Sequence, residues 1–153
     1  MLGEKTFEQI SDDQINWQYN AESNSISLIV KHLAGNMLSR WTDFLTTDGE
    51  KEWRNREGEF EGGIESKIQL LEIWNRGWNC LFDAIDSVSD EDLDKIIYIR
   101  NQGHTLMEAI NRSTTTVGLQ MLVQHLENPS TSPTYLKTLQ SAAEDWRVHA
   151  VSN

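Results

Sequence analysis

An all-α, up-and-down four-helix bundle with a long crossover loop is the fold this sequence predicts, on three observations. No proline precedes Pro129, so nothing of that kind interrupts a helix over most of the chain. Apolar residues recur at steps of three and four across several long windows, the period of one helix face. A polar stretch, 47–63, divides two of those windows and is long enough to cross a bundle from end to end.

Taken in order, the first pattern runs over 2–10 and reads as the last turns of a helix, closed by Ser11-Asp12-Asp13. The second, 24–46, places Ile26, Ile29, Val30, Leu33, Met37, Trp41 and Phe44 on one stripe, with Ser23 or Asn24 as its N-cap. The third, 64–88, has the most regular period. Ile64, Leu71, Trp78 and Ile85 are seven apart, and Trp74, Leu81 and Val88 complete an a/d seam that packs at a shallow angle. If Trp78 is core, replacing it with alanine costs about 3–5 kcal/mol. Ser89-Asp90-Glu91 then caps a short segment through Leu93.

The fourth pattern, 104–127, carries Leu106, Ile110, Val117 and Met121 on one face, and His104 stands at its start. It is weaker, because Ser113-Thr114-Thr115-Thr116-Val117-Gly118 combines β-branched residues with a glycine, each costing up to about 1 kcal/mol against alanine. From residue 128 the composition turns to Pro, Ser and Thr, so 1–127 is read as the bundle and 128–153 as a divergent tail.

Composition limits the function. Lys and Arg number 13 against 24 Asp and Glu, giving net charge −11, so the field repels nucleic acid and anionic lipid alike. No run reaches the length of a membrane span. The lone cysteine, Cys80, cannot form an internal bridge, and no basic segment leads an apolar run near residue 1, so a cytoplasmic location is expected. No Gly-rich phosphate loop and no Ser-His-Asp elbow is present.

More specific than any period are the runs Lys31-His32-Leu33-Ala34-Gly35-Asn36-Met37 and Ser39-Arg40-Trp41-Thr42-Asp43-Phe44, followed by Asp48-Gly49-Glu50-Lys51. With Trp53-Arg54-Asn55-Arg56, Glu59-Phe60, Gly77-Trp78, Ile99-Arg100, His104-Thr105 and Glu108-Ala109-Ile110-Asn111-Arg112, they resemble a domain-of-unknown-function family of the DinB/YfiT-like metalloenzyme superfamily. The resemblance is close as far as Arg112 and then weakens. It implies a four-helix bundle, a homodimer, and kinship with metal-dependent thiol transferases. It also implies three histidine ligands for a divalent metal, one on the second helix and a His-x-x-x-His pair on the fourth, which share a helix face and leave open coordination positions.

His32 matches the first ligand. The pair is replaced: an ungapped count puts Thr116 and Gln120 there, and a one-turn deletion puts Arg112 and Thr116 there. Hydroxyl and amide oxygens suit zinc or nickel poorly, so no tightly bound cofactor is expected. Near-stoichiometric zinc or nickel that disappears in His32→Ala would contradict that expectation.

Arg40 stands within the apolar stripe and wants a carboxylate, with Asp43 or Glu59 as candidates. Arg54 and Arg56 either pair with the acids around them in the crossover or turn toward an anionic substrate, a task suited to guanidinium forks. Cys80 has no neighbouring base in sequence and reads as inert. Two functions follow. One is a binding or scaffold protein that lacks a complete metal site and takes a small anionic or thiol ligand. The other is a divalent-metal-dependent transferase or hydrolase related to the thiol S-transferases, with zinc or nickel on His32.

Overall fold

Ser25 opens the first long helix: its hydroxyl accepts from the Leu28 N–H and stands one to two residues after the expected cap. The structure is a computed structural model that describes residues 6–20 and 23–113. Helix α1 is described over 6–8, α2 spans Ile26–Trp41, α3 spans Lys67–Asp86, and α4 is described over 106–113. The molecule is mostly helical. The expected boundaries at 1–5 and beyond 113, including the tail at 128–153, lie outside the described residues.

α2 ends earlier than its hydrophobic stripe. Thr42 turns extended and Asp43 takes a left-handed φ of 47°, while the Asp43 carbonyl accepts from the N–H groups of Thr46 and Thr47. Phe44 stays buried on that turn, edge-on to Trp41, so the periodicity continued although the helix did not.

The face that α3 buries differs from the expected seam. Leu70, Trp74, Gly77, Leu81 and Ala84 are buried, whereas Leu71, Trp78 and Ile85 are half-buried. Gly77 explains the rotation. A Cβ there would stand 2.8 Å from the Ala34 Cα and 2.8 Å from the Met37 Cε, so the backbones of α2 and α3 cross where a side chain is missing. Trp74 fills the space beside the crossing and meets Phe7 edge-on at 5.2 Å, which brings α1 into the same core.

One expectation is overturned between α3 and α4. The Ser89 cap and the turn through Leu93 are present, but the next residues form an antiparallel hairpin, β1 Ile96–Ile99 and β2 Gln102–Thr105. The fold is therefore not all-α: a small two-stranded sheet accompanies the helices. Ile97 pairs with His104, and Ile99 with Gln102. Arg100 and Asn101 form the tip with φ of 55° and 60°, the positive values a two-residue type I′ turn requires. His104 is thus a strand residue, and α4 begins at 106, its first turn closed by a capping box in which Thr105 Oγ1 accepts from the Glu108 N–H and Glu108 Oε2 accepts from the Thr105 N–H.

Candidate functional site

The crossover is fastened to the helices by a few polar side chains. Ser39, fully buried on α2, donates to the Gly49 carbonyl and accepts from the Lys51 N–H. Asp48 then reaches the hairpin tip. Its Oδ1 accepts from the N–H groups of Glu50 and Arg100, and its Oδ2 from that of Asn101. The N–H groups of Glu50 and Asn101 hold its carboxyl below the usual aspartate value. The Gly49 N–H completes the joint by donating to the Tyr98 carbonyl at 2.7 Å.

Beyond this joint the crossover sends two acids inward. Glu59, buried on a 3-10 turn, is gripped by Arg54 through two hydrogen bonds of 2.8 and 3.1 Å. Its Oε2 also lies 2.9 Å from His32 Nδ1. A carboxylate held by a guanidinium only accepts, so Nδ1 is the donor and Nε2 is the ring nitrogen that Glu59 does not engage. Phe60 lies against the imidazole at 5.1 Å. Gly35 makes room for this arrangement: a Cβ there would fall 2.1 Å from Glu59 Oε1. Glu50 pairs with Arg100 at 2.9 Å and lies 3.8 Å from Arg54. Burial pushes the Glu50 carboxyl up, but the hydrogen bond and charge of Arg100, with Arg54 and Arg56, hold it below its ordinary value.

A cavity of about 470 Å³ opens beside His32. α2 supplies His32, Leu33, Asn36 and Arg40; the crossover supplies Arg56; the hairpin supplies Ile99, Arg100, Gln102 and His104; α4 supplies Ala109, Arg112 and Ser113. Four guanidiniums and two imidazoles line it. Among the described residues no carboxylate does, in a chain with 24 acids.

Of these groups Arg40 is the most constrained. Its Nη1 donates to Ser113 Oγ at 3.3 Å, and its buried Nε has no partner among the described residues. Burial, followed by repulsion from Arg112 and Arg54, depresses its pKa. Neither carboxylate expected for Arg40 reaches it: Glu59 goes to Arg54 and His32 instead.

The structure therefore divides the sequence-derived candidates. His32, Arg40 and Arg56 meet at the cavity, whereas Arg54, 3% exposed, is spent on Glu59 and does not line it. Thr116 and Gln120 lie outside the described residues. Of the other lining residues, the sequence reads His104 as a helix-start residue that caps or packs, places Arg112 only where a histidine ligand would stand after a one-turn deletion, and gives Arg100 no ligand-binding role. The signal for Arg100 and His104 was the strand-forming run Ile96-Ile97-Tyr98-Ile99 followed by Asn101, a hairpin pattern that brings both residues to one place. For Arg112 the sequence signal was the deletion register alone, and the structure adds that it lines the cavity with Arg40.

The lining fits a divalent metal poorly. His32 is oriented by a carboxylate in the way metal-bound imidazoles commonly are. Yet among the described residues no group of three His, Cys, Asp or Glu converges on one point, and the four guanidiniums repel a cation. The larger opening, about 990 Å³, is an exposed groove between the end of α2 and α3 that includes Cys80, Arg76 and Asp83. Its charged residues, Asp43, Glu72, Arg76 and Asp83, are of mixed sign, unlike those beside His32. No described helix is long and apolar enough to cross a membrane.

Searches among curated proteins and among solved structures found no match. A family model matches residues 1–126, most of the chain, and the protein belongs to that family, described as Protein of unknown function (DUF1572).

Proposed function

We propose that this protein binds a small anion in the cavity beside His32 and acts as a binding or scaffold protein, with Arg40 and Arg56 among the groups that hold the ligand. The observation that carries this reading is the collection of four arginines, with no carboxylate among the described lining, in a chain of net charge −11. Among the described residues only Arg100 of the four has a carboxylate partner, Glu50; a cluster of like charges is costly, and an anion relieves it. Arg54 serves indirectly, by holding Glu59 and through it His32. Calorimetric titration with citrate and with inorganic phosphate at low salt tests the proposal. Saturable binding that Arg112→Gln weakens supports it; no binding of either anion refutes it.

The resemblance to the DinB/YfiT-like superfamily supports a four-helix bundle completed by α1 and α4 and a homodimer, and the lone cysteine supports a cytoplasmic location. Light scattering at tens of micromolar checks the dimer, and a monomeric mass refutes it. The metal-dependent transferase or hydrolase reading rests on the carboxylate-oriented His32, with Thr116 and Gln120 where a histidine pair would stand. Elemental analysis separates the two readings: near-stoichiometric zinc or nickel that His32→Ala removes favours the enzyme.

A further inference from the structure

Resting on the anion-binding reading above, we infer that the cavity selects an organic anion carrying two or more negative groups, and discriminates against monoanions. Arg40 comes from α2, Arg56 from the crossover, Arg100 from the hairpin tip and Arg112 from α4, so the guanidiniums converge from four parts of the fold. A single carboxylate has two oxygens and occupies one guanidinium fork. A ligand that satisfies several forks at once must carry separated anionic groups.

The protein's own acids leave this demand unmet. Glu50 pairs with Arg100, and Glu59 is consumed by Arg54 and His32. Arg40, Arg56 and Arg112 have no carboxylate within ion-pair distance among the described residues, and Glu50, the acid whose charge reaches Arg40 and Arg56, is paired with Arg100. Arg40 Nε, buried and without a partner there, is a donor already desolvated and held in place by Ser113. The volume of about 470 Å³ lies within the range of small-molecule sites. Leu33, Ile99 and Ala109 give the lining apolar surface for a carbon skeleton.

The test is a calorimetric series at fixed low ionic strength with acetate, succinate and citrate, and in parallel with phosphate and pyrophosphate. Affinity is expected to rise on the order of tenfold for each added negative charge in the carboxylate series. The phosphate arm distinguishes the source of the charge: carboxylates binding more tightly than phosphates of equal charge assign the site to organic acids. Pyrophosphate exceeding citrate would overturn the organic-anion assignment. Arg56→Gln, at an exposed position, is expected to flatten the series without loss of folding, checked by circular dichroism. Arg40→Gln is expected to flatten it further. If all three carboxylates bind with equal affinity, the selectivity inference is wrong while the anion site stands. If none binds, both fail.

Discussion

The contact between α2 and α3 and the joint between crossover and hairpin are held together by opposite means. The helices meet through an absence of atoms: Gly77 lets the Ala34 backbone approach, and Trp74, Leu81 and Met37 fill the surrounding space. The joint is held by charged and hydroxyl groups that serve backbone donors and acceptors, with Asp48 alone accepting from three N–H groups. An apolar contact spreads its energy over many atoms, so its loss is large and insensitive to pH. A polar clamp concentrates it in one group, so its loss is smaller and depends on that group's charge. The cavity lies where the two regimes adjoin, with Arg40 on the helix side and Arg100 on the hairpin side.

Substitutions that separate these regimes are expected to rank as follows. Trp74→Ala removes a side chain that is 1% exposed and should cost about 3–5 kcal/mol in urea denaturation. Trp78→Ala should cost clearly less, because Trp78 is only half-buried, contrary to the seam expected from sequence. Equal costs would show that the heptad reading was right after all. Gly77→Ala forces a methyl against the Ala34 backbone and should destabilise by about 1–3 kcal/mol without pH dependence.

Asp48→Asn weakens the joint by about 1–2 kcal/mol, since an amide offers one accepting oxygen where the carboxylate offers two charged ones. The sign with pH follows from the lowered pKa. The fold favours the ionised carboxyl, so its contribution is fully present above the unfolded value near 3.8 and is lost as pH falls through the lower folded value. Acid melts of the native chain should therefore show a loss of stability below about pH 4 that Asp48→Asn reduces. An unchanged acid limb would mean that Asp48 is not the clamp. The smallest effect on stability is expected from Gly35→Ala, whose methyl shifts the flexible Glu59 side chain with Arg54 still paired to it and moves the carboxylate relative to His32. That variant should melt near the native temperature but change the His32 ring resonances in NMR spectra.

How much of this was legible beforehand depended on the range of the interaction. Steps of three and four placed both long helices within a few residues, because that signal is local and repeated. The α3 face was misread by one position, because the heptad rule favours Trp78 over Gly77, and nothing in the α3 sequence shows that Ala34 needs a gap there. The hairpin was missed although Ile96 to Ile99 has strand character, because four residues are too few to outweigh helical neighbours. The site was half-legible. His32, Arg40 and Arg56 were singled out from the sequence, but Arg100 and Arg112 reach the same cavity only through the turn at Asn101 and the start of α4 at 106. Glu59 was considered a partner for Arg40 and proved to be the partner of Arg54, a choice made by Gly35 and His32.

The anion site itself is tested most directly by soaking crystals of the full chain in selenate and collecting data at the selenium edge. One dominant anomalous peak is expected inside the cavity, with its oxygens about 2.7–2.9 Å from the guanidinium nitrogens of Arg40 and Arg112, reduced by competing citrate. An empty cavity, with selenate confined to surface lysines, would contradict it.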